Sequence, residues 1–134
     1  MNKIAASAEV AVVAAVRSGQ TIAVGGFGLC GTPSTLIEAL LSSGATDLHI
    51  IANNLGPEYS AITGLLRARR VRRVTASYIG DNGVFLRQYL EGSIRLDLVP
   101  QGTLAEKLRS GGAGIPALSA LAMCATSSPL RSRR

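Results

Sequence analysis

Residues 18–33 read SGQTIAVGGFGLCGTP. The β-branched apolar run TIAVG (21–25) predicts a strand. It enters a turn carrying Gly25, Gly26, Gly28 and Gly31. Thr32-Pro33 then predicts a helix cap and a first helical residue, a position where the missing proline N–H is no loss. The helix expected next, STLIEALLSS, places Leu36, Ile37, Leu40 and Leu41 on one face and stops at Gly44. Strand, glycine turn and helix together form the opening unit of an α/β fold.

On the N-terminal side, Ser7 is placed to cap a helix running to about Arg17, closed by Ser18-Gly19. Residues 4–16, IAASAEVAVVAAV, resemble a signal-peptide core. However, Glu9 interrupts them, no small-residue cleavage site follows, and they are too short to span a bilayer. They are read as a core-facing helix, with cytoplasmic as the default compartment and no membrane partner. On the C-terminal side, DLHIIAN (47–53), Val71–Ser77 and IRLDLV (94–99) predict strands. Helices are expected near 60–67, near Gly83–Leu90 and over TLAEKLRS (103–110), the last after a Pro100-Gln101-Gly102 turn. Near-continuous apolar strands alternating with helices predict an open, mostly parallel sheet with helices on both faces.

The composition agrees. Of 134 residues 47% are apolar and 16% charged, which excludes wholesale disorder, and 15 glycines without a Gly-X-Y period exclude collagen. The net charge of +6 is local: five of the 14 basic residues fall within 67–73 and three in the last four positions. Arg67, Arg69, Arg70, Arg72 and Arg73 have no interleaved aromatic and match no nucleic-acid module, so a solvated face or subunit contact is expected. Two cysteines and a single histidine, His49, make no disulfide framework and no metal site. His49 is expected in the core or on a sheet face. Cys30 is read as a small packed residue of the glycine turn in preference to a reactive thiol at a helix N-terminus.

Gly26-Phe27-Gly28-Leu29-Cys30-Gly31 satisfies GxGxxG between a predicted strand and a predicted helix, the setting in which backbone amides and a helix dipole receive an anion. The dinucleotide fingerprint also requires an acid about 20 positions on, at the end of the next strand. That strand ends in Asn53-Asn54, and its one acid, Asp47, lies at the wrong end. Nicotinamide binding is therefore set aside.

The longer string is more specific. G-G-F-x-x-x-G-x-P at Gly25, Gly26, Phe27, Gly31 and Pro33 resembles the signature of the family I CoA-transferases, in particular their 3-oxoacid A (α) subunits. The similarity continues through IANNLGPE, RRVTASYIGDN, FLRQYLEG and PQGTLAEKLRSGGAGIP, covering residues 3–116. Ser18 departs from the family's usual Asp or Asn and serves equally as a turn residue. The resemblance implies a CoA-transferase (NagB-RpiA-like) α/β fold and CoA transfer from succinyl-CoA to a 3-oxo acid. Coenzyme A would be a substrate, with no resident cofactor.

Such chemistry needs a carboxylate nucleophile that becomes an enzyme thioester, and neutral donors aimed at each oxyanion. The resemblance maps the acyl-contacting amides onto Asn53 and Gln101, with Asn54 beside them. Gly25, Gly26, Phe27, Gly28 and Gly31 would form the substrate-binding wall. Phe27 either lines the acyl pocket or pins the turn. The family's catalytic glutamate belongs to a partner B (β) subunit. Here Glu9, Glu38 and Glu106 sit in helix patterns, Glu91 follows one, and Glu58 reads as a solvated loop residue. The isolated chain is therefore expected to be inactive, and to work in a heterodimer or heterotetramer. Acetate, butyrate or 3-oxoadipate as acceptor, or a non-catalytic fragment, are the alternatives. The family's α subunits continue past GGAGIP with an aromatic and a Thr-Pro segment, whereas ALSALAMCATSSPLRSRR does not. Residues 1–116 are read as an α-subunit domain incomplete at its C-terminus, and 117–134 as a divergent, disordered tail from a frameshifted or truncated gene.

Overall fold

The structure, a computed structural model, describes residues 4–115. The chain divides after Val99 into two units. The expected boundary after residue 116 and the tail 117–134 lie outside the described residues.

The first unit is a four-stranded parallel sheet in the order β1-β2-β3-β4, formed by β1 (Thr21–Val24), β2 (Leu48–Ala52), β3 (Val71–Ala76) and β4 (Arg95–Leu98). Helices α1 (Ala8–Ala15), α2 (Ser34–Ser42), α3 (Ala61–Arg67) and α4 (Gly83–Leu90) alternate with the strands. The α/β parallel architecture expected from the strand–helix alternation is thus present. Each crossover steps to the next strand in one direction, so right-handed connections carry α2, α3 and α4 to the same face. Within this unit the expected helical layers reduce to one layer, in which α1 packs on α2, α2 on α3 and α3 on α4.

Side chains alternate along each strand, and the helical layer covers one set. Leu48, Ile50, Ala52, Val74 and Ala76 are buried there with Ile37, Leu40, Ile62, Leu65, Leu66 and Phe85. Each such Leu or Ile side chain removed from water contributes ~1.5–3 kcal/mol. Helix α1 is capped by Ser7, whose hydroxyl accepts from the Val10 amide at 3.3 Å. It buries Val12, while Val10 and Val13 are 54% and 60% exposed. AEVAVVAA is apolar nearly all round, so one apolar side must face outward.

The opposite face of the sheet carries the polar set. Register aligns Thr21, His49, Arg73 and Arg95 in one row and Ala23, Ile51, Thr75 and Asp97 in another. His49 bridges its neighbours, with Nδ1 at 3.1 Å from Thr21 Oγ1 and Nε2 at 2.9 Å from Thr75 Oγ1. It is a sheet-face histidine. Arg73 Nε donates to Asp97 at 2.6 Å, and that guanidinium holds the Asp97 carboxyl below its ordinary value. Burial, and then the neighbouring Arg73 charge, hold His49 below its ordinary 6.5. The unfolded chain therefore binds this proton more readily. Stability present above pH about 6.5 is lost as the pH falls below it. Thermal melting between pH about 5 and 8 is expected to show Tm falling on the acid side, and His49→Gln to flatten the slope; an unchanged slope in that variant would remove His49 from the account.

The basic run is consumed locally. Arg67 pairs with Glu58 and Arg69 with Glu91, each at 3.3 Å. Arg70 donates to the Gly44 carbonyl and Arg72 to the Asp47 carbonyl, at 2.8 and 2.9 Å. These arginines stitch the loop before β2 and the ends of α3 and α4.

Two helix starts differ from expectation. Thr32 does not cap α2: the helix begins at Ser34 with Pro33 at the cap position, and the Thr32 hydroxyl donates back to the Gly28 carbonyl at 3.4 Å. In the second unit, α5 runs from Gln101 to Gly112. Pro100-Gln101-Gly102 is therefore not a separate turn. Pro100, with φ −53° and ψ 141°, presets the start of the helix, so Gln101 is its first residue.

Candidate functional site

Ligands of open parallel sheets bind beyond the carboxyl ends of the strands. Three loops meet there: the glycine turn after β1, Asn53–Ser60 after β2 and Ser77–Asn82 after β3. The glycine turn is a tight hairpin in which the Phe27 amide donates to the Cys30 carbonyl at 2.9 Å and the Cys30 amide to the Phe27 carbonyl at 3.0 Å. These two backbone bonds pin the turn. The Phe27 ring, 74% exposed, does not. Cys30 is exposed, which corrects the packed-residue reading: the hairpin turns residues 28–30 out of the unit's core.

Gly26, Gly28 and Gly31 all take positive φ in this turn, and at Gly26 a side chain would also clash. The φ of Gly26 is 119°, and a Cβ would lie 2.6 Å from Thr32 Oγ1 and 3.0 Å from the Thr32 amide nitrogen. Gly26→Ala combines a left-handed φ with a backbone clash, so a loss of about 1–3 kcal/mol or more is expected. Chemical denaturation of the chain checks it, and an unchanged midpoint would show that the turn relaxes freely.

Asn53 and Asn54 follow β2 directly. The Asn53 carbonyl accepts from the Ser77 and Tyr78 amides at 3.0 and 3.1 Å, joining the β2 and β3 loops. The Gly56 amide donates to Asn54 Oδ1 at 2.9 Å, which turns Asn54 Nδ2 toward Asn53, where it donates to Oδ1 at 3.0 Å. The chain from Gly56 through Asn54 thus holds the Asn53 carboxamide oxygen toward Asn54.

Asn54 and Gly28 line a cavity of about 180 Å³ together with Gly56, Pro57, Tyr78, Gly80 and Asp81. The three loops touch through backbone: a Cβ on Gly56 would stand 3.4 Å from the Gly28 carbonyl, and one on Gly80 would stand 3.2 Å from the Gly56 carbonyl. Of the expected site residues, Gly28, Asn54 and, through its bond to Asn54, Asn53 come together here. Gly25, Gly26, Phe27 and Gly31 shape the same turn without lining the cavity. Gln101 is exposed at the start of α5 in the second unit. Glu58 faces a different cleft of about 290 Å³, lined also by Arg67, Arg69, Arg87 and Glu91. Tyr78 and Asp81 are two lining residues that sequence reasoning misses. Asn53 is singled out by the resemblance; its position just past a strand end, taken alone as a signal, is shared by SYIGDN after β3.

No helix among the described residues is long and apolar enough to cross a membrane, and no group of three or more His, Cys, Asp or Glu among them is placed to hold a metal ion.

The coenzyme A transferase family model matches residues 5–130. Over 117 residues the chain is 51% identical to the A (α) subunit of the probable succinyl-CoA:3-ketoacid coenzyme A transferase of Mycobacterium tuberculosis, covering 87% of this chain and 47% of that protein. It is 49% identical over 108 residues to the human mitochondrial succinyl-CoA:3-ketoacid coenzyme A transferase 2, covering 81% of this chain and 21% of that protein. The chain thus spans about half the length of the bacterial single-subunit relatives it matches. Among solved structures, glutaconate coenzyme A-transferase of Acidaminococcus fermentans shares the fold with a TM-score of 0.69 and 21% identity, over 84% of this chain and 36% of that one. A family match over nearly the whole sequence, with half of the aligned residues identical to a curated relative, shows that the chain belongs to the coenzyme A transferase family.

Proposed function

We propose that this chain forms the α-subunit part of a 3-oxoacid coenzyme A transferase, moving CoA from succinyl-CoA to a 3-oxo acid such as acetoacetate. The observation that carries this reading is the oriented Asn53–Asn54 pair at the carboxyl end of β2, in a chain 51% identical to a relative bearing that name. Neutral carboxamides suit the task. They stabilise an oxyanion that exists only in the transition state, whereas a charged donor would trap the ground-state carboxylate. Asn53 and Gln101 are proposed as the donors to the acyl oxygen, with Asn54 and the glycine turn, Gly25 to Gly31, as the wall beside them. Coenzyme A enters as substrate, and no resident cofactor is proposed.

The nucleophile is assigned to a partner β subunit in a cytoplasmic heterodimer or heterotetramer. Its glutamate would carry CoA as a glutamyl thioester, giving ping-pong exchange. Among the described residues that line the cavity the one carboxylate is Asp81 and none is a glutamate, which fits this division of labour and the expectation that the chain alone is inactive. The same observation favours a second reading, a module that binds a β subunit without turnover. Co-expression with a β subunit, purification and a succinyl-CoA/acetoacetate thioester assay separate them. Complex formation with exchange supports the transferase, complex formation without exchange supports the module, and turnover by the chain alone overturns the assignment of the nucleophile. Exchange with acetate, butyrate or 3-oxoadipate in place of acetoacetate would change the acceptor and keep the class.

A further inference from the structure

Beneath the three loops lies a buried polar cluster that the proposed chemistry does not use. Ser60, Thr63 and Asn82 are 7%, 0% and 3% exposed. Ser60 Oγ donates its single proton to the Leu55 carbonyl at 2.9 Å. It can therefore only accept in its 3.1 Å contact with Thr63 Oγ1, and Thr63 donates there in preference to its other acceptor, the Pro57 carbonyl, which is farther away at 3.4 Å. Thr63 in turn accepts from Asn82 Nδ2 at 2.8 Å. The result is a one-way relay, Asn82 to Thr63 to Ser60 to the Leu55 carbonyl. Asn82 Nδ2 also lies 3.4 Å from the Gly56 carbonyl. Of the two peptide carbonyls that follow Asn54, that of Gly56 is met by Asn82 directly and that of Leu55 by Ser60, to which Asn82 is linked through Thr63.

Capping alone does not account for this. Asn82 caps α4 through Oδ1, which accepts from the Phe85 amide at 3.0 Å. That function needs only an acceptor, which Asp or Ser would supply. The donor side of the carboxamide is used for the loop after β2. Nor is there slack in the packing: a Cβ on Gly56 would lie 2.9 Å from the Ser60 Cβ. A shift of Leu55-Gly56 would be transmitted through the Gly56 amide to Asn54, and from Asn54 to the Asn53 carboxamide.

We infer that Asn82 and Thr63 are positioning residues that set the Asn53–Asn54 pair through the Leu55-Gly56 peptides. This rests on the proposed acyl-contact role of Asn53 for its kinetic consequence, but not for the relay itself.

The test compares Thr63→Val, which keeps volume and removes the hydroxyl, with Thr63→Ser, which restores it. Val74→Ala, a core variant beneath the sheet, serves as a control for general loss of stability. In the full chain alone, amide hydrogen exchange at Gly56 and Tyr78 is expected to quicken at least tenfold in Thr63→Val relative to β2 and β3 amides, and to remain near wild type in Thr63→Ser and Val74→Ala. In the complex with a β subunit, Thr63→Val is expected to lower kcat about tenfold to a hundredfold with KM moved less, as a misplacement on the order of 1 Å does; Thr63→Ser regains most of it. If Thr63→Val does not fold, Asn82→Ser, which keeps an acceptor for the cap, adds no charge and withdraws the carboxamide from Thr63 and Gly56, carries the same comparison. Loop exchange and kcat in Thr63→Val that match Val74→Ala would overturn the inference, as would a Thr63→Ser variant as impaired as Thr63→Val. A wild-type complex without CoA transfer would defeat the functional reading, while the exchange at Gly56 would still decide the relay.

Discussion

In a complex with a β subunit, Asn53→Ala is expected to lower kcat for CoA transfer by about 10²–10³, the usual consequence of removing one oxyanion donor and equivalent to roughly 3–4 kcal/mol of transition-state stabilisation. The loss should fall on kcat and leave KM little changed, because the charge that Asn53 would stabilise develops only after attack on the carbonyl. Asn53→Asp sharpens the test. It preserves an oxygen to accept from Asn54 Nδ2, now 3.0 Å from Asn53 Oδ1, and replaces the amide donor by a second, charged carboxylate oxygen that repels an oxyanion. It should therefore be as slow as Asn53→Ala while melting closer to wild type. Steady-state exchange between succinyl-CoA and acetoacetate measures both. A kcat for Asn53→Ala within about threefold of wild type would remove Asn53 from the reacting centre.

The largest stability effect is expected at Phe85. It is fully buried, heads the largest side chains of the core, and stacks on Tyr89 one turn along α4, with ring centroids 6.2 Å apart and planes at 9°. Phe85→Ala leaves a cavity that the surrounding Leu and Ile side chains cannot close, at about 3–5 kcal/mol. Folded domains of this size are stable by only roughly 5–15 kcal/mol. Tm should fall by roughly 15 °C or more. Phe85→Leu, which refills most of the volume, should lose less than half as much. Urea unfolding followed by circular dichroism tests this: a lower midpoint at unchanged slope is the expected result, and a midpoint near wild type for Phe85→Ala would mean that α4 is not part of the cooperative unit. Because the same helix is capped by Asn82, its loosening should also be felt in the loop after β2.

The two cavities near α3 and α4 illustrate how sequence neighbours can be separated in use. Asn54 and Glu58 lie four positions apart. Asn54 faces the cavity with Gly28, Tyr78 and Asp81, while Glu58 faces the arginine-lined cleft and pairs with Arg67. Proximity along the chain made Glu58 the one glutamate near the expected site, and the turn into α3 carries it elsewhere.

Much of the architecture was legible from local pattern. TIAVG, DLHIIAN and the run from Val71 are apolar and β-branched, each is followed by a turn, and Ser7 and the Gly44 stop mark helix ends. These signals act between residues close in sequence, so one chain without relatives already carries them. The Asn53-Asn54 pair is singled out by the resemblance to the CoA-transferases, and its place at a strand end, where ligands bind in open sheets, agrees with that reading. Interactions that depend on the register of distant strands could not be read in this way. The His49 bridge between Thr21 and Thr75, the arginines bonded to the Gly44 and Asp47 carbonyls, and the relay from Asn82 to Leu55 each join segments that only the folded sheet brings side by side. The outward turn of Cys30 and the start of α5 at Gln101 are local, set by the Phe27–Cys30 backbone pair and by the conformation of Pro100, yet several turn forms fit the same residues. Hydrophobic periodicity along the chain determined that a parallel α/β sheet forms. Which polar groups meet at its carboxyl edge was decided by the packing of one loop against the next, because a hydrogen bond is sensitive to tenths of an ångström that no local pattern encodes.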